Sequence, residues 1–319
     1  MTTNWTVQAR YVDPELAAMQ VLSPRITLND LAAARELEQL LATQATRSAD
    51  DVDIQELSGV RRDGTTLRMR LYRPARWHRS TLPVLLFVHG GSFVTGGLHS
   101  EDNRCIHYAR EAQVAVIAVD YRLAPEHPFP AAVEDCQDAL DWVVAHAATL
   151  GCDPSRIALG GLSAGGCLAA ATALWTAEHR SISPALLMLL FPVLDARVAT
   201  GSVNEFTDTP VLISDTVHRL WRLYLGEPGH RAEPVSPLAS PAAATDLSGL
   251  PPTLMITAQF DPLRDEGLAF GARLAEAGVP VDLHHFGRGF HSFDSFDATR
   301  LGLECLDIQV RALQRALAP

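Results

Sequence analysis

The sequence predicts an α/β fold, with a mostly parallel sheet covered by helices on both faces. Three observations lead there. Short apolar runs alternate with amphipathic helical stretches over most of the chain. The runs are Val84–Val88, Val114–Val119, Ile157–Leu159, Leu186–Phe191, Thr253–Thr257 and Val281–Phe286. They are continuously apolar, as strands buried on both faces must be. Finally, 319 residues, 47% of them hydrophobic, suffice for one large core.

The elements follow in order. The first fifty residues read as helical: Leu31, Leu37, Leu40 and Leu41 recur at helical spacing, and Asn29 or Asp30 can cap that helix. Val52–Val60 and Thr66–Tyr72 then form a β-hairpin. In the second segment Leu67, Met69 and Leu71 share one face and Arg68 and Arg70 the other, and Asp63-Gly64 supplies the turn. The helices between the later strands are Asn103–Glu111, Ala131–Ala147, Ala164–Glu178, Arg264–Ala277 and Arg300–Leu317. One interval, Asp195–Leu250, has helical pattern, five prolines and no strand signal. It reads as an insertion that packs with the N-terminal helices over the sheet edge. The expected division is N-terminal helices over residues 1–50, a core over 51–194, the insertion over 195–250, and the rest of the core over 251–319.

Composition excludes several classes. The formal net charge is −11 and the basic residues do not cluster, which argues against nucleic acid or an anionic membrane as partner. No apolar run reaches the roughly 18 residues of a membrane span. The N-terminus lacks the basic and apolar pattern of a secretory signal. Five cysteines, an odd number without C-x-x-C spacing, read as reduced thiols of a cytoplasmic protein. No His, Cys, Asp or Glu cluster has metal-ligand spacing, so no metal is expected.

Gly161-Leu162-Ser163-Ala164-Gly165 lies between a short strand and a helix. This is G-x-S-x-G in the strand–turn–helix setting the motif requires. The serine sits on a strained turn, so its neighbours must be small. The helix behind it directs its positive end at the site. His89-Gly90-Gly91-Ser92-Phe93 follows another strand. Its backbone N–H groups can form an oxyanion hole, with donors expected from Gly91, Ser92 and Ala164 and with Gly90 keeping the loop tight. An ordinary β–α turn would also use these glycines.

A nucleophilic serine needs a base, and the base needs an orienting acid. Reactive groups in such sheets lie beyond the carboxyl ends of strands. His291 follows the last strand across the loop Gly287-Arg288-Gly289-Phe290, and Asp261 follows the strand Thr253–Thr257. A helix cap and a solvated loop histidine are the alternatives for these two. His284 and His285 fall inside the strand and read as structural; His89 reads as a brace for the oxyanion loop.

These pieces resemble the hormone-sensitive-lipase-like branch of the α/β-hydrolases found among bacterial esterases. The matching segments are His89-Gly90-Gly91, Asp120 through Glu126, Phe129-Pro130-Ala131-Ala132, the serine turn, and Asp261 through Asp265. The order Ser163, Asp261, His291 is that of an α/β-hydrolase triad. The resemblance implies an eight-stranded, mostly parallel sheet, a helical cap, no cofactor, and hydrolysis of short- to medium-chain acyl esters. It departs at Leu162, Ser92 and Ser292, where the family has an acidic residue and two glycines. Trp5, Tyr11, Phe206, Trp221 and Tyr224 are candidates to line the pocket or to pack the cap. The helix Arg300–Leu317 and the adjoining sheet edge are candidates to pair subunits. Two other functions remain open: a non-catalytic small-molecule receptor, and a lactone, amide or carbamate hydrolase with the same triad.

Overall fold

The computed structural model describes residues 9–19, 27–44, 49–77, 81–179, 182–230 and 234–318. In chain order its elements are α1 (Pro14–Met19), α2 (Leu31–Gln44), β1 (Val52–Val60), β2 (Thr66–Pro74), β3 (Leu82–Val88), α3 (Asp102–Ala112), β4 (Ala115–Val119), α4 (Ala131–Leu150), β5 (Cys152–Leu162) and α5 (Ala164–His179). They continue with β6 (Leu186–Leu190), α6 (Gly201–Glu205), α7 (Ser214–His230), β7 (Thr253–Phe260), α8 (Arg264–Glu276), β8 (Val281–Phe290) and α9 (Arg300–Ala316). The eight strands form one sheet in the order β1-β2-β4-β3-β5-β6-β7-β8. β2 is antiparallel to β1 and β4, and every other pairing is parallel. No helix among the described residues is long and apolar enough to cross a membrane.

Strand periodicity divides the core. Side chains alternate across a sheet, so Val84, Leu86 and Val88 of β3 join the layer beneath α4, α5 and α8. Leu85 and Phe87 join the opposite layer, beneath α3 and α9. β6 divides likewise, with Leu187 and Leu189 on the first side and Met188 and Leu190 on the second. Each such leucine contributes about 1.5–3 kcal/mol by leaving water. The hairpin forms as its pattern predicts. Leu67, Met69 and Leu71 are buried, and Gly64 closes the turn at a φ of +85° that a side chain would strain. Arg70 is buried too. Its guanidinium binds Asp102 and Glu56.

Three strands outrun their apolar cores. β5 continues through Gly160 and Gly161, which pair with Phe87 and Val88. β7 runs on to Phe260, and β8 includes Gly287-Arg288-Gly289-Phe290, expected to be a loop. Glycine reads as a break, but here it admits close packing: a Cβ on Gly160 would lie 3.2 Å from both Leu85 and Met188 side chains.

The 195–250 interval has no strand among its described residues. Its segment from Val211 to Tyr224 lies near the carboxyl ends of β3 and β5. Trp221 and Tyr224 of α7 pack on Phe93, just beyond β3, and Val211 and Leu212 overhang the end of β5. Three carboxylates anchor neighbouring loops. Glu266 Oε1 accepts the Leu194 N–H at 2.6 Å, and Asp265 Oδ2 accepts the Ser202 N–H at 2.7 Å. Asp135, with no side-chain exposure, takes Arg61 Nε at 2.8 Å and the Arg122 N–H at 2.7 Å.

Asp135 therefore balances two guanidinium groups at the entrance of the Tyr121–Glu126 segment. Asp135→Ala leaves them without their buried counter-charge, a loss of about 3–5 kcal/mol. Urea unfolding checks this, and a loss below about 1 kcal/mol would contradict the assignment.

Candidate active site

Ser163 stands at the turn from β5 into α5, with a φ of +55°. Such backbone is costly for a residue with a side chain and persists only where its surroundings fix it. Here the Ser163 N–H donates to the Leu190 carbonyl at 2.8 Å, and its own carbonyl accepts the Val193 N–H at 3.1 Å. The neighbours must be glycine. A Cβ on Gly161 would lie 2.1 Å from the Gly165 carbonyl oxygen, and one on Gly165 would lie 2.1 Å from that of Val88. The turn thus lifts Ser163 out of the sheet while α5 starts directly beneath it.

The ends of β7 and β8 bring the other two side chains to this serine. Asp261 follows β7 immediately, and its Oδ1 accepts the Leu263 N–H at 2.9 Å. His291 follows β8 immediately. Its Nδ1 lies 2.7 Å from Asp261 Oδ2 and its Nε2 3.1 Å from Ser163 Oγ. All three are buried, and the Phe191 ring lies edge-on to the imidazole. The strand extensions explain the meeting: without them Asp261 and His291 would sit on loops of undefined reach. His285 pairs instead with Thr257 and Gln259 of β7.

A family model described as alpha/beta hydrolase fold matches residues 85–295. The chain belongs to the α/β-hydrolase family. Within it, this α/β-hydrolase falls in the hormone-sensitive-lipase-like branch and is a carboxylic ester hydrolase. It is 39% identical over 254 residues to the ethyl acetate hydrolase of Pseudomonas putida, covering 79% of each chain. It is 36% identical over 229 residues to an arylesterase of Saccharolobus solfataricus, covering 71% of this chain and 72% of the relative. Its structure is similar to a bacterial heroin esterase with a TM-score of 0.94 at 41% identity, covering 98% and 100% of the two chains.

In this α/β-hydrolase the loop after β3 turns on Gly91, at a φ of +109°, followed by Ser92 and Phe93 at +57° and +64°. A Cβ on Gly91 would lie 2.3 Å from the Thr95 carbonyl. The bonds that close this turn run from Val94 and Thr95 to the Gly91 carbonyl. They do not use the N–H groups of Gly91 and Ser92. Ser92 holds its left-handed backbone without being glycine. His89 lies beneath, stacked on Tyr121 with 4.2 Å between ring centroids, its Nδ1 2.7 Å from the Gly90 carbonyl. Tyr121 Oη donates to the His89 carbonyl at 3.1 Å. Gly90 faces the Leu162 backbone, joining this loop to the serine turn.

A cavity of about 160 Å³ opens onto Ser163 and His291. Its walls come from Gly90, Gly91, Ser92 and Thr95 after β3, from Leu162, Val211, Leu212 and Thr216, and from Glu38, Ser100 and Glu101. None of the described aromatic candidates lines it. Phe206, Trp221 and Tyr224 are buried in packing, Tyr11 is 56% exposed, and Trp5 lies outside the described residues. The wall residues converge from distant segments with no shared motif, so no local signal marks them. Among the described residues no cluster of His, Cys, Asp and Glu could hold a metal ion.

Burial depresses the His89 pKa to about 4, although the Gly90 carbonyl favours the charged ring. An unfolded imidazole takes a proton near pH 6.5. Between those values the unfolded chain binds the extra proton, so stability is full above the window and falls as pH drops through it. Denaturant unfolding across this range is expected to show a flatter pH dependence in His89→Gln than in the parent protein. Identical slopes would contradict the role of His89 as a neutral brace.

Proposed function

We propose that this ester hydrolase is a serine carboxylesterase acting on short- to medium-chain acyl esters, with Ser163 as nucleophile, His291 as general base and acid, and Asp261 as the group that orients it. The observation that carries the proposal is the line of two hydrogen bonds from Asp261 through His291 to Ser163. Asp261 accepts from Nδ1–H, which leaves Nε2 free to take the Ser163 proton. Oγ then attacks the ester carbonyl carbon. The developing oxyanion meets the N–H groups of Gly91, Ser92 and Ala164 at the α5 N-terminus, which are already oriented and need no reorganisation. Collapse expels the alcohol, which takes its proton from His291. Water repeats the sequence and releases the acid.

The small cavity supports short acyl groups, because pockets for drug-sized ligands run from about 300 Å³ upwards. We assign the cap to residues 1–50 and 195–250, since Glu38, Val211, Leu212 and Thr216 wall the cavity from above. Five unpaired, buried thiols support a reducing, cytoplasmic setting. For self-association we assign the edge formed by β8 and α9, where Leu283 and Leu303 are exposed.

One acyl-length series of 4-nitrophenyl esters tests the proposal. The parent enzyme is expected to turn over acetate and butyrate faster than decanoate. Ser163→Ala and His291→Ala each remove several orders of magnitude of kcat, and the double variant falls little further, because the two act as one unit. A folded Ser163→Ala protein with most of its activity, or kcat/KM that climbs with chain length, would overturn it.

A further inference from the structure

Val211 stands in backbone that valine rarely adopts. Its φ is +64°, and the Leu212 N–H donates across it to the Pro210 carbonyl at 2.7 Å. A three-residue turn closed over a positive φ is the rare, strained form. A β-branched side chain tolerates it least, because both γ-carbons crowd the main chain. Glycine would fit there at no steric cost.

We propose that Val211 is a specificity-determining residue: the strained turn holds its side chain in the wall of the catalytic cavity, where it limits the length of ester that reaches Ser163. The role deepens the esterase function proposed above and rests on it.

The strain has a pattern. Among the described residues, eight other than glycine have positive φ, and four of these, Ser92, Ser163, Val211 and Ser292, line this one cavity. Such backbone gathers at functional sites, where the surroundings enforce it. Three of the four sit in or beside the reacting groups. Ser163 is the proposed nucleophile, Ser92 belongs to the loop after β3, and Ser292 adjoins His291. The Val211 side chain has no group that can donate, accept or react. What it brings to the cavity is shape.

The turn is also braced. Thr209, with no exposed surface, donates its hydroxyl to the Leu212 carbonyl at 2.6 Å. The Ser214 N–H reaches the Phe206 carbonyl at 3.0 Å. Leu212 is buried in the same core layer as Trp221 and Tyr224, while Val211 is only partly buried. Leu212 thus anchors the loop, and the turn cannot relax outward to carry Val211 off the cavity. In a space of about 160 Å³ the two methyl groups of Val211 decide how much chain fits.

Two ester series read the limit on either limb of the substrate. 4-Nitrophenyl esters from acetate to octanoate lengthen the acyl group, and acetates of ethanol to octanol lengthen the alcohol. In at least one series Val211→Ala and Val211→Gly are expected to raise the kcat/KM ratio of the eight-carbon over the four-carbon chain about tenfold, the worth of two buried methylenes. Val211→Ile, which thickens the wall, lowers it. Thermal unfolding separates the wall from the turn. At an ordinary position glycine is less stable than alanine. Here Val211→Gly is expected to melt about 2 °C or more above Val211→Ala, because only glycine relieves the positive φ. Ratios that move in neither series, in an enzyme that hydrolyses the short esters, overturn the role of Val211 alone, as does an alanine variant more stable than the glycine one. An enzyme that hydrolyses no ester of either series overturns that role together with the esterase function beneath it.

Discussion

A methyl group on Gly165 would lie 2.1 Å from the Val88 carbonyl oxygen, so the start of α5 and the end of β3 approach as closely as a bare backbone allows. That contact governs the site. It presses the turn that carries Ser163 against the end of β3 and the loop that follows it, so the two share one rigid corner. Gly161 repeats the constraint within the turn, against the Gly165 carbonyl. Any side chain at these positions would push Ser163 away from the loop. A misplacement of about an ångström can cost two orders of magnitude in rate. The close approach therefore links a packing requirement directly to chemistry.

The remainder of the site is held by polar groups, some buried and some at the surface. Tyr121 and His89 stack and bind the oxyanion loop from below. Arg35 binds the Val94 carbonyl and Glu126, tying α2 to the same loop. Glu266 and Asp265 hold the backbone that leaves β6 and starts α6. Burying such groups costs free energy unless every partner is present. Their return is positional: segments far apart in sequence meet in one arrangement around the cavity.

Much of this is legible in the sequence. The alternation of apolar runs and helical stretches gives the layered sheet, because two-sided burial leaves no polar positions in a strand. Ser163 is legible from its small neighbours, and Asp261 and His291 from their places after strands. Strand ends are less legible. Gly160 and Gly161 look like breaks, yet they pair with Phe87 and Val88, while Gly287 and Gly289 lie inside β8 where its register with β7 shifts. For the aromatic residues the packing alternative holds. Phe206, Trp221 and Tyr224 could line the pocket or pack the cap, and their large apolar area drives them into the packing. The cavity wall is instead made by Glu38, Glu101, Val211 and Leu212, which only the tertiary fold brings together.

The account turns on Ser163 being the one nucleophile of the molecule, and covalent trapping tests that most directly. The enzyme is treated with a fluorophosphonate, digested with trypsin and mapped by mass spectrometry. One phosphonyl group per chain is predicted, on Ser163 within the peptide of residues 157–180, with activity lost in proportion to its occupancy. Full inactivation with Ser163 unmodified, or an adduct on another residue that tracks the loss, would contradict the account.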